Sequence, residues 1–311
     1  MALRVAVTLG LPDRLRGEGA ANLAEELGVS PVALDLLLAH LTTLGVVERT
    51  DTGHRTTGFG AQLCADAGNG LANFLDINSA GGRADLAFVE LAHSVATGEA
   101  AYPRRYGQDF WSDAAENPHL RETFDKQMTH RFLAQVPQII ANYDWSRFPA
   151  IVDVGGGRGD LLAAILRANP GMHGHLVDLD PTASAARQRF DAENLPAEVT
   201  AGSFFDPLPA GASAYLLSDI FHDWDDDHSH QILARCVEAA GSTGRILILE
   251  PVADRGADTE MNLAMLALYG GRERRVDEFR TLAAAHNLTV DTVTTVSDQR
   301  CVLELRPTPP Q

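Results

Sequence analysis

Residues 150–166, AIVDVGGGRGDLLAAIL, decide how the chain folds. AIVDV is short, apolar and β-branched, which suits a strand buried on both faces. LLAAIL places apolar residues at helical spacing. Between them Gly155, Gly156, Gly157 and Gly159 form a strand-to-helix turn. Glycines there let the backbone approach a ligand and adopt dihedrals barred to other residues. The spacing is not GxGxxG, because Gly157-Arg158-Gly159 runs on into Asp160, Leu161 and Leu162, and the lysine of a P-loop is missing.

The same texture continues outward. GHLVDL, AYLLSDIF and RILILEPV read as further buried strands, with LLAAILRAN, ASAARQRFDA and SHQILARCVEAA as helices between them. This alternation predicts an α/β domain over residues 148–311, built on a doubly wound parallel sheet. Its ligand belongs outside the carboxyl ends of the strands, at the switch in strand order. Asp178 closes HLVDL about twenty residues after the glycines, where a carboxylate can accept hydrogen bonds from both hydroxyls of a ribose. A nucleoside ligand is expected; the competing explanation is a merely tight turn.

Toward the amino end, LAEELGV and SPVALDLLLAHLTTLGVV read as two short helices, with Ser30 as cap and Pro31 in the first helical position. VVERTDTGHRTTGFGAQL follows, and Asp51, Thr52 and Gly53 supply a turn between two strand-like runs. Helix, helix and hairpin over residues 1–70 is a winged-helix pattern, either a packing and dimerisation module or a DNA-binding one. Five arginines against eight carboxylates in that stretch are no footprint for DNA. Residues 71–147 read as a helical linker and pocket wall, interrupted around GEAAYPRRYGQDFW.

Bulk properties narrow the function. At 311 residues the chain has room for two domains, and with 45% hydrophobic and 22% charged residues it has a globular balance. No apolar run approaches the roughly 18 residues of a membrane span, and MALRVAVTLGLPDRLRG makes a poor secretory signal, so a cytoplasmic protein is expected. Cys64, Cys236 and Cys301 form no CxxC pair and are expected to be buried thiols. A net charge of −17 disfavours nucleic acid and anionic membranes as partners and fits small neutral or cationic ligands.

DVGGGRGD, VDLDP, AGSFFDPLP, LSDIFHDWDD, ILILEPV and GGRERRVDEF, in this order and spacing, resemble S-adenosylmethionine-dependent O-methyltransferases of the plant caffeate and bacterial polyketide-tailoring type. The resemblance implies a Rossmann-like class I methyltransferase domain behind an N-terminal, mostly helical winged-helix dimerisation domain, hence a homodimer. Its cofactor would be S-adenosyl-L-methionine. Asp153, Gly155, Gly156 and Gly157 would lie beside the methionine moiety, and Asp178 with Leu179 would hold the ribose and flank adenine. Ser203 and Phe204 occupy the next cofactor position; Ser203 stands where the family often has aspartate. Ser218 replaces the lysine of plant members, and Trp224 is expected near the cofactor.

Residues 221–233, FHDWDDDHSHQIL, admit three readings. A continuous helix would line up His222, Asp226 and His230 as metal ligands, but the strand-like AYLLSDIF before them and Trp224 break that register. No metal is expected. The next helix should begin near Asp225, with one of Asp225, Asp226 and Asp227 as cap and Ile232, Leu233, Cys236 and Val237 on its buried face. That leaves His222 at the end of the strand. The resemblance implies that it is the general base, with Glu250 and Glu273 as supporting carboxylates, and Asp223 is close enough in sequence to assist. An apolar acceptor pocket is expected from Phe110, Trp111, Met128, Met265 and Tyr269. The reading that follows is an O-methyltransferase acting on a phenolic or enolic hydroxyl of a small secondary metabolite, with a polyketide-like acceptor. Two readings compete: a relative that keeps the cofactor but decarboxylates, hydroxylates or runs a pericyclic reaction, and a winged-helix ligand-sensing regulator. Retention of His222, Glu250 and Glu273 disfavours the first, and the acidic winged helix the second.

Overall fold

The computed structural model describes residues 1–17, 19–256 and 258–308, with only the backbone described at 20, 130, 131 and 133. The chain divides into two compact units, one of Met1–Ala87 with Trp111–Gln127, the other of Phe88–Phe110 with the chain from Met128 on.

In the first unit, the expected helices are Ala20–Leu27 and Pro31–Thr43, preceded by Ala2–Thr8 and Leu11–Arg14. Ser30 caps the fourth through the amide of Ala33, and Pro31 follows at the position where a missing N–H costs nothing. β1 (Val47–Arg49) and β2 (His54–Thr56) pair as an antiparallel hairpin. Leu11, Leu23, Leu34, Leu38, Leu41 and Val47 fill the core between helices and hairpin. Cys64 departs from the expected buried thiol: it is half-buried beside Asp13, because it follows a short 3-10 helix at the surface.

Among the described residues of the second unit, seven strands form one sheet: β3 (Ala150–Val154), β4 (His173–Asp178), β5 (Ala197–Ala201), β6 (Ala214–Ser218), β7 (Arg245–Glu250), β8 (Leu288–Thr295) and β9 (Cys301–Pro307). Their order is β5-β4-β3-β6-β7-β9-β8, with the first five parallel and β9 antiparallel to both neighbours. Alternate residues of each strand face opposite layers. Val152, Tyr215 and Leu217 pack toward the helices Asp226–Ala240 and Val276–Ala285. Ile151, Leu216 and Leu247 pack toward Asp160–Ala168 and Thr182–Glu193. The chain winds outward from β3 through β5, then returns to place β6 on the other side of β3. The switch point, and so the crevice for a ligand, lies where β3 and β6 end.

One boundary differs from the sequence reading. The apolar run AYLLSDIF does not remain a strand to Phe221: β6 stops at Ser218, Asp219 takes a left-handed φ of 53°, and Phe221–Asp223 form a single 3-10 turn. Apolarity from Ile220 to Phe221 reflects burial rather than extension. Among the described residues no helix is long and apolar enough to cross a membrane.

Candidate active site

The glycine turn after β3 is built by left-handed backbone at Gly155, Gly157 and Gly159, with φ of 72°, 59° and 76°. A Cβ on Gly155 would lie 2.5 Å from Ile220 Cδ1, so this glycine is what lets the β3 turn meet the segment after β6. Asp178, at the end of β4, accepts from the amides of Gly157 (2.8 Å) and Leu179 (2.7 Å). It thereby orients the turn as well as presenting a carboxylate beside it. Leu179, next in the chain, is exposed.

Asp153, one residue before the end of β3, is buried, and its carboxyl oxygens have no hydrogen-bond partner among the described residues. Burial first, then the charge of Asp178, pushes its pKa up to about 7. Ser218 Oγ, at the end of β6, is likewise buried and unpartnered there. Uncompensated buried polar groups are costly unless something supplies the missing partner. An open glycine turn, a carboxylate at the end of β4 and two unsatisfied polar groups at the switch point fit a polar, positively charged nucleoside such as S-adenosylmethionine. Ser203 spends its Oγ on the amide of Phe205 (3.1 Å), which shapes the loop after β5. Phe204 and Phe205 stand edge-on to Trp224, with ring centroids 5.9 and 5.0 Å apart. Trp224 therefore belongs to the aromatic wall that Phe204 begins.

His222 sits in the middle of the 3-10 turn and is 4% exposed. Its Nε2 lies 3.5 Å from Asp223 Oδ1. Glu250, the last residue of β7, is fully buried and sends Oε1 to the amides of Ile220 (3.0 Å) and Phe221. Burial, then the charge of Asp219, pushes Glu250 up to about 8. Glu273 is buried, and its amide donates to Asn262 Oδ1 (2.9 Å). It is brought to the turn by Gly271, where a Cβ would stand 2.1 Å from the His222 carbonyl oxygen. Only a residue without a side chain admits so close an approach of backbone to backbone.

The acidic cluster of residues 221–233 is divided between the 3-10 turn and the helix that follows it. Asp225 caps the helix Asp226–Ala240 through the amide of His228 (2.8 Å), Asp226 pairs with Arg274, and His230 Nδ1 faces His286 Nε2 at 3.0 Å. Ile232, Leu233 and Cys236 are buried on that helix, and Val237 is half-buried. The three potential ligands that lie together among the described residues are elsewhere, at Asp13, Cys64 and Asp66, and they are exposed or half-buried.

Of the acceptor-pocket candidates, Met265 and Tyr269 lie on the helix Thr259–Tyr269, which packs beside the 3-10 turn. Phe110 stands edge-on to Tyr269 at 5.3 Å. Trp111 belongs to the first unit, where it packs on Phe124 at 5.3 Å. Met128 opens the second stretch of the other unit and is half-buried.

Two arginines escaped the sequence reading. Arg274, 2% exposed, donates to the carbonyls of Phe221 (2.6 Å) and Trp224 (3.0 Å) and to Asp226. Its neighbour Glu273 and the double glycine of GGRERR were the available signal. Arg300 forms a forked pair with Asp219 (3.1 and 2.6 Å) and is buried. Eighty-one residues separate that pair, and nothing local announces it.

A doubly wound sheet with a glycine turn at its switch point and an acid closing the next strand defines a nucleoside-binding α/β protein. Family models extend this: residues 88–287 match the O-methyltransferase domain and residues 1–65 the O-methyltransferase dimerisation domain. The chain belongs to the O-methyltransferase family and is an S-adenosylmethionine-dependent enzyme. It is 47% identical over 296 residues to a 2,7-dihydroxy-5-methyl-1-naphthoate 7-O-methyltransferase of Streptomyces carzinostaticus, covering 93% of this chain and 89% of the relative. It is 40% identical to an aclacinomycin 10-hydroxylase of Streptomyces purpurascens, covering 93% and 81%. A crystal structure of an O-methyltransferase from neocarzinostatin biosynthesis, bound to S-adenosylmethionine and 2-hydroxy-5-methyl naphthoic acid, superposes with a TM-score of 0.87 at 45% identity, covering 99% of this chain and 95% of that one.

Proposed function

We propose that the protein methylates a phenolic or enolic hydroxyl of a small aromatic secondary metabolite, with His222 as the base. The observation that carries this reading is the buried His222–Asp223 pair, set on a turn at the switch point beside the glycine-rich segment. Bound S-adenosylmethionine supplies an electrophilic methyl group on a sulfonium. Asp153, Gly155 to Gly157, Asp178, Leu179, Ser203, Phe204, Ser218 and Trp224 are the residues that would hold it.

His222 accepts the hydroxyl proton of the acceptor. A phenol ionises near roughly 10 and an imidazolium near roughly 6.5, so full transfer alone costs about 5 kcal/mol. Removal of the proton as the oxygen is alkylated lowers that cost, and the Asp223 carboxylate stabilises the imidazolium that forms. Glu250 holds the turn by its amides, and Glu273 supplies a further carboxylate near it. Phe110, Met265 and Tyr269 offer an apolar wall that orients a flat acceptor and excludes water; Met128 is a further candidate. Orientation of two reactants in line contributes much of the rate in such a transfer.

The S. carzinostaticus relative is named for a dihydroxynaphthoate, which makes hydroxylated bicyclic aromatic acids the first acceptors to test. The match of residues 1–65 to a dimerisation domain supports a homodimer, which light scattering would measure directly. His222→Ala is expected to bind S-adenosylmethionine normally and to lose methyl transfer by orders of magnitude, read as mass gain on a panel of phenolic acceptors. Unchanged turnover in that variant would refute the role of His222.

A further inference from the structure

The residue that carries the proposed base sits on three residues of 3-10 helix, Phe221–Asp223. So short a turn has no cooperative stability of its own, and its shape must be imposed from outside. Two buried side chains hold its two ends, one as acceptor and one as donor. At the amide end, Glu250 Oε1 takes the N–H groups of Ile220 and Phe221. At the carbonyl end, the Arg274 guanidinium donates to Phe221 O at 2.6 Å and to Trp224 O at 3.0 Å. Its remaining hydrogen bonds, Nη2 at 2.8 Å and Nε at 3.2 Å, go to Asp226 Oδ1 in the first turn of the next helix. The arrangement matches the polarity of the turn, with an acceptor oxygen where amides point outward and a cationic donor where carbonyls do.

We propose that Arg274 is a positioning residue for methyl transfer: with Glu250 it clamps the turn and fixes the place and angle of the His222 ring. The proposal rests on the reading of His222 as the base. Among the described residues the hydrogen bonds of Arg274 go to the carbonyls of Phe221 and Trp224 and to Asp226, not to the His222 ring, so its effect is exerted through the backbone on either side of His222. Gly271 brings its segment against the same turn, with space for no side chain between them and the His222 carbonyl. Arginine is required because its planar fork spans two carbonyls and a carboxylate at once, whereas a lysine ammonium is a single point of donation on a flexible stem.

The test is Arg274→Lys, His222→Ala and the double variant, each assayed for kcat and KM and normalised to S-adenosylmethionine-binding sites counted by calorimetry. Arg274→Lys is expected to bind the cofactor and the acceptor within about threefold of wild type and to lose about 10- to 100-fold in kcat, the scale of a misplaced reacting group. The double variant is expected to be no slower than His222→Ala, since a clamp has nothing to position once the ring is gone. A merely structural arginine would lower the number of binding sites and the melting temperature but leave kcat per site unchanged; that result, or losses that multiply in the double variant, overturns the proposal. Wild-type turnover in His222→Ala instead removes the base reading, whatever Arg274→Lys does. Should Arg274→Lys not fold, Asp226→Asn loosens the same guanidinium from an exposed position. A fall in its kcat per site supports the clamp, and wild-type kcat overturns it.

Discussion

Replacing Asp153 by asparagine should make the ligand-free protein less sensitive to alkaline pH. Asp153 is buried with no hydrogen-bond partner among the described residues, and its carboxyl is pushed from 3.8 up to about 7 by burial and by Asp178. An acid whose folded-state pKa is raised contributes stability that is complete below the unfolded value and is lost as pH rises through the folded value. Between those limits the loss is about 1.4 kcal/mol per pH unit. From pH 5 to pH 8 the wild type should therefore give up about 2.5 kcal/mol through this one group. For a unit of this size that is a fall of roughly 5–10 °C in melting temperature. The amide of Asp153→Asn has nearly the same shape and does not titrate. Glu250, pushed up to about 8, titrates in the same direction in both proteins and cancels in the comparison. Differential scanning fluorimetry of the two ligand-free proteins at intervals from pH 5 to 8 measures the effect. The variant should gain on the wild type with each step. A difference that stays flat across the range would refute the claim that Asp153 is held neutral by its surroundings.

Gly271→Ala sets a Cβ 2.1 Å from the His222 carbonyl oxygen, so the turn must move. A loss of about 1–3 kcal/mol in stability is expected by denaturant titration, together with slower methyl transfer. Arg300→Met removes the guanidinium from its forked pair with Asp219 and should cost about 3–5 kcal/mol. Asp219→Asn combined with it should recover part of that loss, which thermal melts of the single and double variants would show.

Local pattern was enough wherever the physical cause is local. The glycines of residues 155–159 announced a turn because only glycine takes those dihedrals cheaply, and φ is left-handed at three of them. The Ser30 cap, and a cap within Asp225 to Asp227, were legible because a cap is a short-range hydrogen bond; the structure places them on Ala33 and, from Asp225, on His228. The end of β6 was not legible, because Ile220 and Phe221 are apolar whether they extend a strand or fold into a buried turn. The antiparallel β8 and β9 were missed for a related reason: pairing partners, not composition, make that edge of the sheet.

By itself, then, the sequence determined the alternation of strand and helix, the glycine turn and the acid at the end of β4, while Glu250 and Glu273 came only with the family resemblance. Tertiary structure alone decided what the acidic groups near residues 220–224 contact. Glu250 meets the amides of the turn, Asp223 meets the imidazole, and Arg274 comes from 50 residues away to hold the carbonyl of Trp224. The reason is range: periodicity and dihedral preference act over a few neighbouring residues, whereas the direction of a buried charge is set by whichever distant backbone groups the fold leaves facing it.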